Sequence, residues 1–208
     1  MLSEIKKIFK TNGIKSSEGF LHEYFNRKKI VVFVPLDFTD KLTFDMASAG
    51  AGVIGHYELC SFRMKGLGTY KPDRKAKPFT GQKGKISFEE EIRLEMECSE
   101  SGLDNVIDVM LASHPYEEVA YEIYDFKKRS SGFAGYFIEL KKSVNAKDLI
   151  IRLHKNIKGE NLNLKNKISK IAVINKDITD VITLKAKAKG CQAVISLNKF
   201  LTIIKIIN

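Results

Sequence analysis

Apolar residues along this chain fall into two spacings, one helical and one extended. Leu2, Ile5, Ile8 and Phe9 share a helical face before Asn12-Gly13 interrupts it, and Phe20, Leu21, Tyr24 and Phe25 repeat that spacing. Residues 1–29 are therefore predicted to form a helical N-terminal extension. Ile30-Val31-Val32-Phe33-Val34 is a continuous apolar run closed by Pro35, the pattern of a buried strand. Phe38, Leu42, Met46 and Ala49 then predict a helix that stops at the glycines 50, 52 and 55. Residues 56–71, with Gly66 and Gly68, predict a bent strand or hairpin. Residues 72–84, with Pro72, Pro78, Gly81 and Gly84, predict an exposed loop. Ile92, Leu94, Met96 and Cys98 alternate with charged residues, as in a half-buried strand. Ser101 with Asp104 opens a helix along Leu103, Val106, Ile107, Met110 and Leu111, and Val119, Tyr121 and Ile123 alternate in a final strand. The order β-α-β-β-α-β predicts an α/β (α+β) unit of ferredoxin-like type, with two helices on one face of an antiparallel sheet.

Lys127-Lys128-Arg129-Ser130-Ser131-Gly132 reads as a break, after which a similar order is suggested again. Tyr136–Leu140 predicts a strand and Leu149, Ile150, Leu153 and Ile157 a helix. Asn161–Leu164 and Ile168–Ile174 are strand candidates, Asp177–Ala188 is a helix ending at Gly190, and Ala193–Ser196 is a strand. The halves share this order without residue-level similarity, so no internal repeat is inferred. The expected division is 1–29, 30–128 and a smaller lobe over 132–208.

Composition narrows the function classes. Hydrophobic residues are 44% and charged residues 29% of the 208, which is globular and not disordered. No apolar run approaches the length of a membrane span, and the N-terminus lacks a signal-peptide core. Cys60, Cys98 and Cys191 are odd in number and far apart, with no Cys-x-x-Cys. This argues against disulfides or a zinc knuckle and suits a reducing cytoplasm. The net charge of +10 raises the question of nucleic acid. The basic residues are 29 Lys and only 6 Arg, dispersed along the chain, whereas phosphate recognition favours clustered Arg. Neither a nucleic-acid partner nor a membrane is expected.

Two stretches carry a more specific signal. One is Ala49-Gly50-Ala51-Gly52-Val53-Ile54-Gly55-His56-Tyr57-Glu58-Leu59-Cys60-Ser61-Phe62, followed by Gly66-Leu67-Gly68-Thr69-Tyr70-Lys71-Pro72. The other is Ser113-His114-Pro115-Tyr116-Glu117-Glu118-Val119-Ala120-Tyr121-Glu122-Ile123-Tyr124. Over about Ile30–Phe126 the chain closely resembles the YqfO-type insert of the Nif-three-like dinuclear metal centre family, the type-two GTP cyclohydrolase homologues. That resemblance implies a CutA/PII-like fold and a homo-oligomer, a trimer or a dimer of trimers. Gly132 to about Phe200 resembles the start of the family's second metal-binding lobe. The family's glycine-rich turn is replaced by Ile174-Asn175-Lys176-Asp177, and its Gly-Asp-x-x-x-His segment by Leu197, Asn198 and Thr202. Neither the family's N-terminal lobe nor its final histidine and glutamate ligands have a counterpart. Since a dinuclear site needs converging carboxylates and imidazoles, the expectation is a chain without that metal site and without a cofactor. It would then be a binding or regulatory module for an unknown small ligand or protein. The alternative is a metal-dependent hydrolase of the GTP cyclohydrolase-like class, using a divalent cation.

The remaining chemistry-bearing residues are few. His56 and Cys60 lie four apart on a segment predicted to be extended, which would put them on one face, and His114 with Glu117 follows a helix. Together these four could hold a soft metal or a small ligand. The alternative is structural: Pro115 fixes the helix exit, His114 caps the last carbonyls and the glutamates are solvated. The glycines at 50, 52 and 55 are not a phosphate loop, since no Gly-Lys-Ser/Thr follows; they are expected to allow positive φ and close backbone approach. His22 and His154 are predicted to be surface residues on helices, and Cys98 and Cys191 buried apolar groups. No nucleophile–histidine–acid set can be assembled, so no catalytic residue is expected.

Overall fold

The computed structural model describes residues 2–10, 13–153, 166–197 and 202–207, and the backbone of 157–160. In chain order its elements are α1 (Leu2–Phe9), β1 (Ile14–Pro35), α2 (Thr39–Ser48), β2 (Ser61–Tyr70), β3 (Ser87–Ser99), α3 (Leu103–Ser113), β4 (Tyr121–Asn145), α4 (Ala146–Leu153), β5 (Ile157–Glu160), β6 (Lys167–Ile174), α5 (Asp180–Ala188), β7 (Ala193–Leu197) and β8 (Thr202–Ile206). They form two compact units. One is the continuous stretch Phe25–Lys128; the other joins Met1–Tyr24 to Arg129–Asn208. Both unit boundaries fall inside long strands, β1 and β4.

In the 25–128 unit the strand order is β2-β3-β1-β4, the ferredoxin-like arrangement that the sequence predicted. β3 pairs antiparallel with β1, Ile30 facing Met96 and Val34 facing Ile92, and antiparallel with β2, Gly66 facing Glu91. Alternation then decides the core. Ile30, Val32 and Val34 join Leu94, Met96 and Cys98 on one face and pack against Leu42 and Met46 of α2 and Val106 and Met110 of α3. Each such large side chain contributes about 1.5–3 kcal/mol by leaving water. The helices also carry the stop signals expected of them. Past Ala49 the chain turns left-handed at Gly50 (φ +106°), and the amides of Gly50 and Ala51 return to the carbonyls of Ala47 and Met46, at 2.9 and 3.0 Å.

In the second unit the order is β1-β4-β6-β7-β8-β5. β6 and β7 are parallel, β7 and β8 antiparallel, and every residue of β7 is buried, which fits a sequence apolar but for Ser196, whose hydroxyl donates to the Lys176 carbonyl at 2.6 Å. Ile5 and Phe9 of α1 and Leu149 and Leu153 of α4 cover one face with Ile138, Ile171 and Ile195. Ile182 and Ala186 of α5 cover the other with Phe137, Ala172 and Val194. Thr179 caps α5 by accepting the amide of Ile182 at 3.3 Å, and Gly190 (φ +72°) ends it.

Three expectations are corrected here. Only Leu2–Phe9 of the predicted extension is helical, and residues 20–25 are strand. Phe20 stacks on Phe137 at 4.0 Å and His22 on Phe133 at 4.8 Å, contacts that a helical spacing cannot reveal. His22 is accordingly half-buried on a strand, not exposed on a helix; His154 lies outside the described residues. The break read at Lys127–Gly132 is continuous strand within β4. The Asn161–Leu164 strand also lies outside the described residues. Among these, no helix is long and apolar enough to cross a membrane.

Candidate functional site

Residues 51–60 form an irregular turn, not the extended segment predicted. Ile54 and Tyr57 exchange backbone hydrogen bonds at 2.9 and 3.0 Å, with Gly55 at φ +61° and Leu59 at φ +57°. The shared face inferred for His56 and Cys60 is therefore lost. His56 is exposed; Cys60 is half-buried, its Sγ 3.8 Å from the Glu58 carbonyl.

His114 is buried at the end of α3, and both ring nitrogens are used within the fold. Nδ1 accepts the amide of Tyr116 at 3.1 Å, and Nε2 lies 3.0 Å from the Phe33 carbonyl of β1. That pattern assigns the neutral Nε2–H tautomer. Burial holds the imidazole below its ordinary pKa, against the opposing pull of the Phe33 carbonyl. The ring thus binds a strand and a turn together, rather than capping its own helix. Glu117 accepts the amide of Lys77 at 2.6 Å and fastens the 71–86 loop to the α3–β4 turn. Among the described residues no three His, Cys, Asp or Glu side chains come close enough to hold a metal ion. Cys98 and Cys191 are buried, and burial raises both thiols, Cys191 to about 11.

A cavity of about 360 Å³ lies beneath that loop in the 25–128 unit. Phe33 from β1, Glu91 from β3, Phe79 from the loop and Tyr116 from the α3–β4 turn line it, with Glu117 and Glu118. Phe79 packs edge-on against Phe38 at 5.5 Å and lies 6.0 Å from Tyr116. Tyr70 is bound to Thr80, whose hydroxyl donates to Glu89 at 2.8 Å, so the loop is anchored at both its hydroxyl and its aromatic residues. The Tyr116 hydroxyl is buried and has no hydrogen-bond partner at bonding distance. Burial first, then the Glu91 carboxylate beside it, push this phenol far above its ordinary pKa, so it stays protonated. In the sequence Tyr116 carries no evident role, and no local pattern singles out Glu91 or Phe79. The available signal was Gly66-Leu67-Gly68: a Cβ at Gly68 would collide with the Glu91 carboxylate, so this glycine makes room for an acid on the neighbouring strand.

In the other unit, the positions where the resembling family has metal ligands hold a different chemistry. Leu197 is buried in the apolar core, directly across the ladder from Thr202, whose buried hydroxyl has no partner among the described residues. Asn198 lies outside the described residues. A leucine offers no donor atom, and a neutral hydroxyl is a weaker metal ligand than imidazole.

No family model matches the chain. Curated relatives named GTP cyclohydrolase 1 type 2 homolog do: one from Halalkalibacterium halodurans is 45% identical over 96 residues, 46% of this chain and 26% of that protein. One from Listeria innocua is 28% identical over 177 residues, 81% of this chain and 46% of that protein. A solved Bacillus cereus protein related to NIF3 superposes with a TM-score of 0.51 at 26% identity, covering 97% of this chain and 57% of that one. The chain is similar to these GTP cyclohydrolase 1 type 2 homologs and to the NIF3-related structure. It spans between about a quarter and somewhat over half the length of these relatives, and the resemblance read from Ile30–Phe126 stands.

Proposed function

We propose that this NIF3-like chain acts as a ligand-binding module rather than as a metal-dependent hydrolase. The observation that carries the reading is the roofed cavity in the 25–128 unit, with aromatic walls, three carboxylates and an unpartnered buried phenol. The name of the curated relatives favours the second reading, a hydrolase of the GTP cyclohydrolase-like class dependent on a divalent cation. Leu197 and Thr202 speak against it, because neither supplies the anionic or imidazole donors that two cations need. Elemental analysis of the desalted protein is expected to find no stoichiometric pair of zinc, iron or manganese. Two metals per chain would overturn this reading in favour of the hydrolase.

The module is also proposed to assemble with copies of itself in the cytoplasm, as a trimer or a dimer of trimers. β2 is the outer strand in its unit and carries Phe62 and Leu67 at 60% and 65% exposure, beside Phe88 at 64% on β3. An open strand edge with large apolar side chains is a surface that a second copy would cover. Native mass spectrometry at micromolar concentration is expected to give three or six chains, unchanged by chelator. A monomer would refute the assembly and leave the ligand-module reading standing.

A further inference from the structure

We propose that the cavity under the 71–86 loop is a site for a small organic ammonium ion, an amine carried on a compact apolar body. This deepens the ligand-module reading and rests on it. The chain has a net charge of +10, yet Lys71 is the sole basic residue lining the cavity, against Glu91, Glu117 and Glu118. The local charge is the reverse of the bulk. Glu117 is partly engaged by the Lys77 amide, while Glu91 and Glu118 form no ion pair among the described residues.

Three features ask for the same occupant. The Glu91 carboxylate stands over Gly68 and forms no ion pair among the described residues, although Lys65 and Arg93 line the adjoining pocket with it. The Tyr116 hydroxyl is shut off from water with no partner at bonding distance, a condition that is unfavourable until something binds it. Phe79 and Tyr116 supply rings that attract a cation through their quadrupoles, while Phe33 already carries the Arg93 guanidinium 5.6 Å from its centroid. An ammonium group meets all three, donating to the carboxylate and to the phenol oxygen while its apolar stem lies against the rings. An anion would be repelled by the carboxylates, and a neutral alcohol would leave Glu91 without an ion pair. The volume suits a ligand the size of an arylalkylamine.

The test titrates the full chain, labelled for amide NMR, with phenethylammonium, 2-phenylethanol and 3-phenylpropionate. Phenethylammonium is expected to shift amides around Glu91, Tyr116 and Phe79, with 2-phenylethanol weaker by about tenfold or more and phenylpropionate without effect. Glu91→Gln is expected to weaken the ammonium about tenfold and Tyr116→Phe severalfold. Glu90→Gln, an exposed neighbour paired with Lys65, is expected to leave it unchanged. Amide spectra without ligand confirm that each variant is folded; if Glu91→Gln is not, the ranking of the three probes on the unmodified chain decides. Equal binding of the alcohol and the ammonium in the cavity would overturn the cation assignment while sparing the ligand-module reading. Absence of any cavity shift with all three probes would overturn both.

Discussion

Gly52→Ala is expected to destabilise the 25–128 unit by roughly 2–5 kcal/mol, far more than Gly55→Ala. Both glycines have left-handed backbone, at φ +72° and +61°, so an L side chain at either costs about 1–2 kcal/mol. Their surroundings differ. A Cβ at Gly55 would meet nothing within 4 Å, whereas one at Gly52 would stand 2.7 Å from the Met96 methyl and 2.9 Å from the Cys60 carbonyl oxygen. Met96 is core, and the Cys60 backbone is held to Gly52 by its own amide, which donates to the Gly52 carbonyl at 2.8 Å. Gly52 in turn donates to the Glu97 carbonyl at 2.8 Å, so while the Met96 methyl can turn aside, the clash with the Cys60 backbone cannot be relieved cheaply. Urea unfolding of the two variants checks this directly. Equal losses for Gly52→Ala and Gly55→Ala would show that the strain is purely conformational.

His114→Ala is expected to cost about 3 kcal/mol, because the Tyr116 amide and the Phe33 carbonyl each lose a buried partner worth about 1–3 kcal/mol. It should also change the pH dependence. The native imidazole is held below the ordinary value of about 6.5, so its contribution is complete above that pH, where both folded and unfolded chains carry it neutral. As pH falls below the unfolded value, the unfolded chain takes up the proton first. Stability is then lost progressively until the depressed folded value is passed. Unfolding midpoints measured from pH 7.5 down to 5 should therefore fall less steeply in His114→Ala than in the unmodified chain. Parallel pH profiles would mean that His114 carries no linkage.

The 25–128 unit was largely legible in the sequence, since its core strands state their own burial. Ile30–Val34 is apolar throughout, and Ile92 to Cys98 alternates with period two, so both strands declare a core-facing side without knowledge of their partners. Residues 20–25 fit a helical spacing equally well, and what decides them lies over a hundred residues away. A Cβ at Gly19 would stand 2.5 Å from the Phe133 ring, and one at Gly135 would stand 2.8 Å from Phe20, so glycine and ring interlock between two distant segments. No local window contains that information. The cavity was illegible for the same reason. Phe33, Glu91 and Tyr116 come from three separate elements, and the orphaned hydroxyl exists only once they have met. His114 was read as a helix-end residue, but its ring is committed to a carbonyl 81 positions earlier.

The interruption of one unit by the other has a consequence for chain entropy. Native pairs within the divided unit join Lys15 to Glu139, Glu23 to Asn175 and Glu18 to Lys189, at separations of 124, 152 and 171 positions. With the intervening stretch unfolded, each contact must close a loop of over a hundred residues. Once that stretch has folded, its ends are tied together by its own side chains: Glu97 takes both Arg27 and Lys128, at 3.4 and 2.6 Å, and Lys28 takes Asp125. The effective loops shrink by about a hundred positions, to about 20, 50 and 70, which lowers each closure cost by on the order of 1 kcal/mol. Loop-closure entropy thus favours assembly of the continuous unit before the divided one.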